Sequence, residues 1–276
     1  MGALNYRAIG EVWNYNKFGW GDRFASGFLF WYNNSPLPQT ASRMYDWYLR
    51  PTAALYYSQN GLAPLHPQFD YLKNTVSVYN DYRKAFPDHT VEARIYDINS
   101  KLVYTGSKKI SIPADGTVKD ALQLSFSDSL TQVHFIKLSL KSPAGKEVGE
   151  AFYWRSKDAY KGAWTITGPA VSGFSDINKL PEAQLTGAVK KRVQNGKVWL
   201  DMQVKNVSDK ISFFTQVRLT DKANAVIPAV FYSDNFFSLL PGEARTVTLE
   251  VSEKAWSQVK GLSVEAFNTK ALQLKL

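Results

Sequence analysis

The chain has 276 residues, 33 Lys and Arg against 24 Asp and Glu for a net charge of +9, and 45% apolar residues, with aromatics at 14%. That length gives two domains at roughly 150 residues each, and the composition excludes a disordered chain. The lack of cysteine excludes disulfides, thiolate metal sites and cysteine nucleophiles.

Residues 1–15 show no basic stretch followed by an apolar one, and no run of 18 apolar residues occurs, so neither a leader nor a spanning helix is read and the compartment stays open. Leu4, Ala8, Ile9, Val12 and Trp13 form an apolar stripe at helical spacing, which predicts a helix over about residues 3–18. Residues 25–32, Ala-Ser-Gly-Phe-Leu-Phe-Trp-Tyr, are an unbroken apolar run, the pattern of a parallel strand buried on both faces. Pro51 in a first turn, Ala53, Ala54 and Leu55, then Gly61 as a terminator, predict a second helix. Helix, strand, helix is the rhythm of an α/β barrel or doubly wound sheet. One strand makes no sheet, so residues 1–62 read as the closing segment of a larger α/β domain.

After Pro64 the period becomes twofold: Val76 and Val78; Val91, Ala93 and Ile95; Leu122, Leu124 and Phe126; Phe135, Leu138 and Leu140. Turn signals at Pro87-Asp88, Asn99-Ser100, Ala114-Asp115-Gly116 and Pro143-Ala144-Gly145 separate them. The spacing predicts about seven short strands in some 90 residues, an immunoglobulin-like sandwich. A block over residues 156–180, richer in Gly, Ser, Lys and Asp, leads to a second set: Val198 to Val204, Phe214 to Leu219, Ala229 to Phe231, and Thr246 to Val251. The Lys190-Lys191-Arg192 run reads as a solvated strand edge that discourages edge-to-edge pairing, not as a nucleic-acid footprint.

Glycoside cleavage needs two positioned carboxylates, and here the glutamates are dispersed. Glu92, Glu147, Glu150, Glu250 and Glu265 read as exposed strand positions and Glu11 as the polar side of the first helix. His66, His89 and His134 lack metal-ligand spacing, and His66, in Pro64-Leu65-His66-Pro67, reads as a structural hydrogen-bonding residue. There is no G-x-S-x-G, P-loop or G-x-G-x-x-G. The cluster Phe28-Phe30-Trp31-Tyr32 with Asn33-Asn34 stands out: a Trp at the C-terminal end of a buried parallel strand lies where barrels build their sites, and indole suits the apolar face of a sugar. A core aromatic fits the spacing as well.

Ala25 to Asn34, then Met44-Tyr45-Asp46-Trp47-Tyr48-Leu49-Arg50-Pro51, then Pro64-Leu65-His66, resemble family 2 glycoside hydrolases, more narrowly the exo-β-glucosaminidase and β-mannosidase branch. Ile227-Pro228 and the stretch from Tyr232-Ser233-Asp234-Asn235 to Pro241-Gly242-Glu243 are similar to that branch's C-terminal immunoglobulin-like domain. The resemblance implies a mainly β chain: two immunoglobulin-like β-sandwiches (63–157 and 158–276) preceded by a helix–strand–helix remnant of a (β/α)₈ barrel (1–62). It also implies that the catalytic glutamate pair of a retaining mechanism lies on earlier barrel strands, outside this chain, which would then be inactive alone. Trp31 matches the floor of the sugar subsite and Asn34 a polar residue near it. Asp234 and Asn235 would either reach the barrel mouth as substrate contacts or shape a turn. Leu37 and Ser42 stand where the branch carries further tryptophans, which leaves the substrate open, and the family would suit the periplasm or secretion.

The expectation is a non-catalytic C-terminal portion of a retaining exo-β-glycosidase. It needs no cofactor or metal, meets carbohydrate only with an intact barrel, uses no nucleic acid or membrane, and self-associates or docks a barrel through the 25–32 strand. The competing readings are a free-standing carbohydrate-binding or adhesive sandwich protein, and a structural subunit docking on a separately encoded barrel.

Overall fold

The computed structural model describes residues 2–17, 27–30, 33–38, 43–158, 164–165, 168–169 and 173–276. The chain divides into two compact units, one of residues 4–30 and 57–180, the other of residues 1–3, 31–56 and 181–276. Helices α1 (Gly2–Asn16) and α2 (Ala53–Gly61) fall where the sequence predicts them.

Among the described residues, the sandwich of the first unit is built from β1 (Leu65–Asp70), β2 (Thr75–Asn80), β3 (Phe86–Asp97), β4 (Leu102–Ile112), β5 (Gly116–Gln123), β6 (Val133–Lys141) and β7 (Glu147–Ser156). They form two antiparallel sheets, ordered β1-β2-β5 and β4-β3-β6-β7, closed on a core that includes Val76, Val78, Val91, Ile95, Ile136 and Leu138. β3 shows the alternation of a strand facing the core on one side, whereas β2 and most of β6 are buried on both faces. The second face of this sandwich is covered by helix. On α1, Glu11 meets His66 of β1 and Asn14 offers its carbonyl to Thr117 of β5. On α2, Tyr57 packs edge-on against Trp154 of β7, ring centroids 5.6 Å apart. Where the helices meet, a Cβ on Gly61 would stand 2.8 Å from the Arg7 carbonyl oxygen, so the close approach needs glycine. A two-residue ladder, β8 (Trp164–Thr165) with β9 (Gly168–Pro169), follows.

Two expectations are corrected here. Glu11 is buried at 6% exposure instead of lying on a polar face, because His66 and Tyr153 hydrogen-bond its carboxylate. In the 25–32 run, the described residues 27–30 form no strand. Phe30 stacks on Tyr6 at 5.1 Å and Phe28 meets Trp13 edge-on at 6.0 Å, so residues 27–30 fold back on α1. Without neighbouring strands to complete its backbone hydrogen bonds, side-chain packing is what holds it. Leu29, between the two in sequence, is 98% exposed.

The second unit holds β10 (Leu185–Gln194), β11 (Lys197–Asn206), β12 (Ser212–Thr220), β13 (Phe231–Tyr232), β14 (Phe237–Leu239), β15 (Ala244–Ser252), β16 (Gly261–Glu265) and β17 (Leu272–Leu274). Its sheets run β10-β11-β15-β13 and β14-β12-β16-β17 around Leu200, Met202, Val217, Leu219, Val247 and Leu249. β10 and β11 are joined at Asn195-Gly196, both at positive φ (53° and 68°), the conformation a type I′ hairpin turn requires. β11 and β15 alternate buried and accessible residues, as one-sided strands must. Lys190, Lys191 and Arg192 lie on β10, an edge strand of its sheet, with Arg192 paired to Asp201 at 3.0 Å.

Candidate functional site

The motif from Met44 to Pro51 folds as a tight loop organised by Asp46. Its Oδ1 accepts from the backbone N–H groups of Tyr48 and Arg50, both at 2.9 Å, and its Oδ2 accepts from Arg50 Nε at 2.6 Å. This is the local bonding that places Asp in turns, and it allows Leu49 a φ of 57°. Thr52 then caps α2, its Oγ1 accepting from Ala54 N–H at 3.2 Å, so Pro51 precedes the cap instead of occupying the first turn. On the other side, Tyr45 donates its N–H to Asn33 O at 2.9 Å, and Asn34 and Tyr45 form an isolated parallel bridge. Asn34 itself is exposed. Trp31 lies outside the described residues.

Asn235 is buried, at 4% exposure. β12 and β14 pair through Thr215 and Phe237, and the antiparallel register carried two residues on would put Val217 opposite Asn235. Phe236, at φ 58°, turns the backbone away there, and the Asn235 side chain takes its place. Its Oδ1 accepts from Val217 N–H at 2.8 Å and its Nδ2 donates to Val217 O at 3.0 Å. The same amide reaches the hydroxyl of Tyr56, which burial, with Tyr232, Tyr45 and Asp234 nearby, holds well above the ordinary phenol range. Asp234 faces Arg245 at 3.4 Å. Tyr232 is pushed up to about 12, chiefly by burial, while its oxygen accepts from Leu219 N–H.

Asp46, Arg50, Gln216, Arg218, Tyr232 and Asn235 are among the residues that line a cleft of about 330 Å³. Arg218 is tied to Glu265 at 2.6 Å, but its Nε is buried with no partner among the described residues. Arg218 Nε is thus a buried donor at a cleft whose Asp46 carboxylate and Asn235 amide are engaged within the protein, and such a donor suits a ligand oxygen. The structure therefore gathers Asn235 and the Asp46 loop at one cleft, with Asn34 bridged to that loop. Asn235 lines the cleft while its amide is engaged by Val217 and Tyr56. Asp46, Arg50, Tyr56 and Arg218 were not singled out by sequence reasoning. The five-residue Asp46-to-Arg50 span in a turn was the available signal for the first two.

In the other unit His66 and Glu11 meet in a buried hydrogen-bonded cluster. His66 Nε2 sits 3.0 Å from Glu11 Oε1, Tyr153 donates its hydroxyl to the same oxygen at 2.6 Å, and Arg7 donates to Phe152 O at 2.6 Å with its guanidinium 3.8 Å from the Tyr153 ring centroid. Burial alone would pull Arg7 down, but Glu11 holds it above its usual value, and burial with the Glu11 charge raises Tyr153. Among the described residues no group of three or more His, Cys, Asp or Glu could hold a metal, and no helix is long and apolar enough to cross a membrane.

Residues 164–269 match the family model described as the exo-β-D-glucosaminidase Ig-fold domain, and residues 73–157 that of the mannosidase Ig/CBM-like domain. The chain is 27% identical to the exo-β-D-glucosaminidase of Amycolatopsis orientalis, over 81% of this chain and 23% of that protein. It is 25% identical to the exo-β-D-glucosaminidase of Hypocrea jecorina, over 98% and 30%. In three dimensions it matches the crystal structure of the Amycolatopsis orientalis exo-chitosanase CsxA with a TM-score of 0.86 at 22% identity, covering 100% of this chain and 34% of that one. A β-D-mannosidase from Dictyoglomus thermophilum follows at TM-score 0.65 and 18% identity, over 99% and 29%. The chain thus spans about a third or less of its relatives' length. With both immunoglobulin-like modules matched in order, the chain resembles the C-terminal region of the family 2 glycoside hydrolases, in the exo-β-glucosaminidase and β-mannosidase branch.

Proposed function

We propose that the chain is the non-catalytic C-terminal portion of a retaining exo-β-glycosidase, glucosaminidase- or mannosidase-like, acting in carbohydrate degradation. In this reading residues 1–62 close the barrel, 63–157 and 158–276 are the trailing sandwiches, Trp31 floors the sugar site and Asn34 lies beside it. Asp234 and Asn235 position the wall of the cleft next to the Asp46 loop. The observation that carries the reading is the pair of module matches in the same order as in the relatives. The strand glutamates also support it: Glu92 pairs with Lys141 at 2.8 Å, Glu265 with Arg218, Glu150 with Lys137 and Glu250 with Lys197. Carboxylates tied into ion pairs in this way suit scaffolding better than the proton cycling of a glycosidase acid.

The apolar surface of Leu29 and Ile9, exposed by 98% and 44%, is where barrel or a second copy packs in this reading. The test is a chimera in which this chain replaces the matching region of the Amycolatopsis orientalis enzyme. It is expected to turn over a chromogenic β-glucosaminide, with kcat/KM reduced at least tenfold by Trp31→Ala. A folded chimera that turns over nothing, or is indifferent to Trp31→Ala, overturns the reading.

A further inference from the structure

Helix α1 and strand β1 enclose a second cleft, of about 310 Å³, that the sugar-site reading does not use. Ala8, Val12 and Tyr15, on one face of α1 by their spacing, form one wall, and Phe69, Tyr71 and Leu72 another. The lining is thus apolar and aromatic, with Asn5, Asn16 and Ser77 supplying short polar groups. Gln68 is also in the wall and 5% exposed. Its Nε2 donates to the Glu11 carbonyl at 2.9 Å, which fixes the amide, while its Oε1 is buried and takes no hydrogen bond from any described residue. A fixed buried acceptor with no protein donor is costly to maintain, and a ligand hydroxyl placed in the cleft would satisfy it. The acids at the cleft are otherwise engaged: Glu11 by His66 and Tyr153, and Asp70 by the N–H groups of Leu72 and Lys73. Lys73 and Lys119 stand against the Tyr15 ring, 4.7 and 4.5 Å from its centroid, while the charged residues of the lining itself, Glu11 and Asp70, are carboxylates, which disfavours an anion.

We propose that this cleft binds one non-anionic pyranose unit, its C–H face on the Tyr71 ring and a hydroxyl donating to Gln68 Oε1. Aromatic walls with one fixed, convergent polar group are the composition of small-molecule sites that read a hydroxylated ring. The cleft shares no residue with the one lined by Asp46 and Asn235, so its failure leaves the proposed function standing, and the reverse holds too.

The test is an amide chemical-shift titration of the full chain with methyl β-D-glucopyranoside, methyl β-D-glucosaminide, methyl β-D-glucuronide and cyclohexanol. Either of the first two should give saturable shifts centred on Tyr15, Gln68, Phe69 and Leu72, with Kd on the order of 1–10 mM. Glucuronide and cyclohexanol should bind at least tenfold more weakly. Gln68→Met removes the acceptor at constant size and Ala8→Phe fills the cleft; each should weaken sugar binding at least tenfold at unchanged far-UV signal. The wild-type shift map stands even where a variant unfolds. Absence of saturable shifts with both sugars, shifts centred elsewhere, equal binding of cyclohexanol or glucuronide, or undiminished binding by folded Ala8→Phe would overturn the proposal.

Discussion

The side-chain amide of Asn235 lies against the backbone of Val217 as a paired strand would, accepting at 2.8 Å and donating at 3.0 Å. It extends the β12–β14 ladder past the point where Phe236 leaves it. Asn235→Ala orphans both the N–H and the carbonyl of Val217 in a buried place, at about 2–4 kcal/mol. Asn235→Asp keeps one bond but sets a carboxylate against a carbonyl oxygen, and is expected to be no milder. Urea unfolding of the wild type and both variants checks this; a loss under about 0.5 kcal/mol for Asn235→Ala contradicts it.

Glu11 is the carboxylate that neutralises buried Arg7, at 3.7 Å. Glu11→Gln leaves a buried guanidinium without its counter-charge and should cost about 3–5 kcal/mol, whereas the double variant Arg7→Met with Glu11→Leu should be milder than the single change. Calorimetric Tm values of the wild type and the two variants decide it.

His134 is held down to about 4, chiefly by burial and then by the Arg155 and Lys157 cations. Its ordinary value is 6.5, so below that pH the unfolded chain takes up the proton before the folded one does. The contribution is therefore level above pH 6.5 and stability is lost as the pH falls from 6.5 to about 4, by roughly 3 kcal/mol in all. His134→Phe should flatten the slope of stability against pH across that window; an unchanged slope contradicts the assignment.

Leu29, flanked in sequence by Phe28 and Phe30, has 98% of its surface exposed. If this patch drives association, Leu29→Glu should shift sedimentation towards monomer at a given concentration while leaving Tm within about 1 °C.

The charges on β10 guard a free strand edge. Replacing Lys190, Lys191 and Arg192 together by Thr should shorten the lag before thioflavin-positive aggregation at neutral pH, with little effect on the folded state, since exposed ion pairs contribute little.

Much of the fold was legible where one face of a strand meets the core. β11 and β15 show their alternation in Val198-Leu200-Met202-Val204 and Val247-Leu249-Val251, and α2 shows its terminator in Gly61. Legibility failed where other constraints prevailed. β1 contains Pro67, which reads as a junction; it is tolerated because β1 is the edge of its sheet, paired only with β2. β4 and β10 are largely exposed and carry little apolar signal, although Asn195-Gly196 was a hairpin signal in plain view. The 25–32 run has the composition of a buried strand but no ladder partner at residues 27–30. For the site, the turn propensity of Asp234-Asn235 was visible, but the pairing of Asn235 with Val217, 18 residues away, and with Tyr56 depends on a register that no local pattern encodes. Glu11 illustrates the same limit: helical spacing cannot anticipate that His66 and Tyr153 will be folded onto the polar side.

The central claim, that the chain supports a glycosidase site without supplying its chemistry, is tested most directly by turnover. The purified 276-residue chain is incubated at high concentration with chromogenic β-glucosaminide, β-mannoside and β-galactoside, and release is followed to completion. The expected result is no release above the uncatalysed rate with any of the three. Clear turnover, abolished by one glutamate substitution that leaves the fold intact, would contradict it.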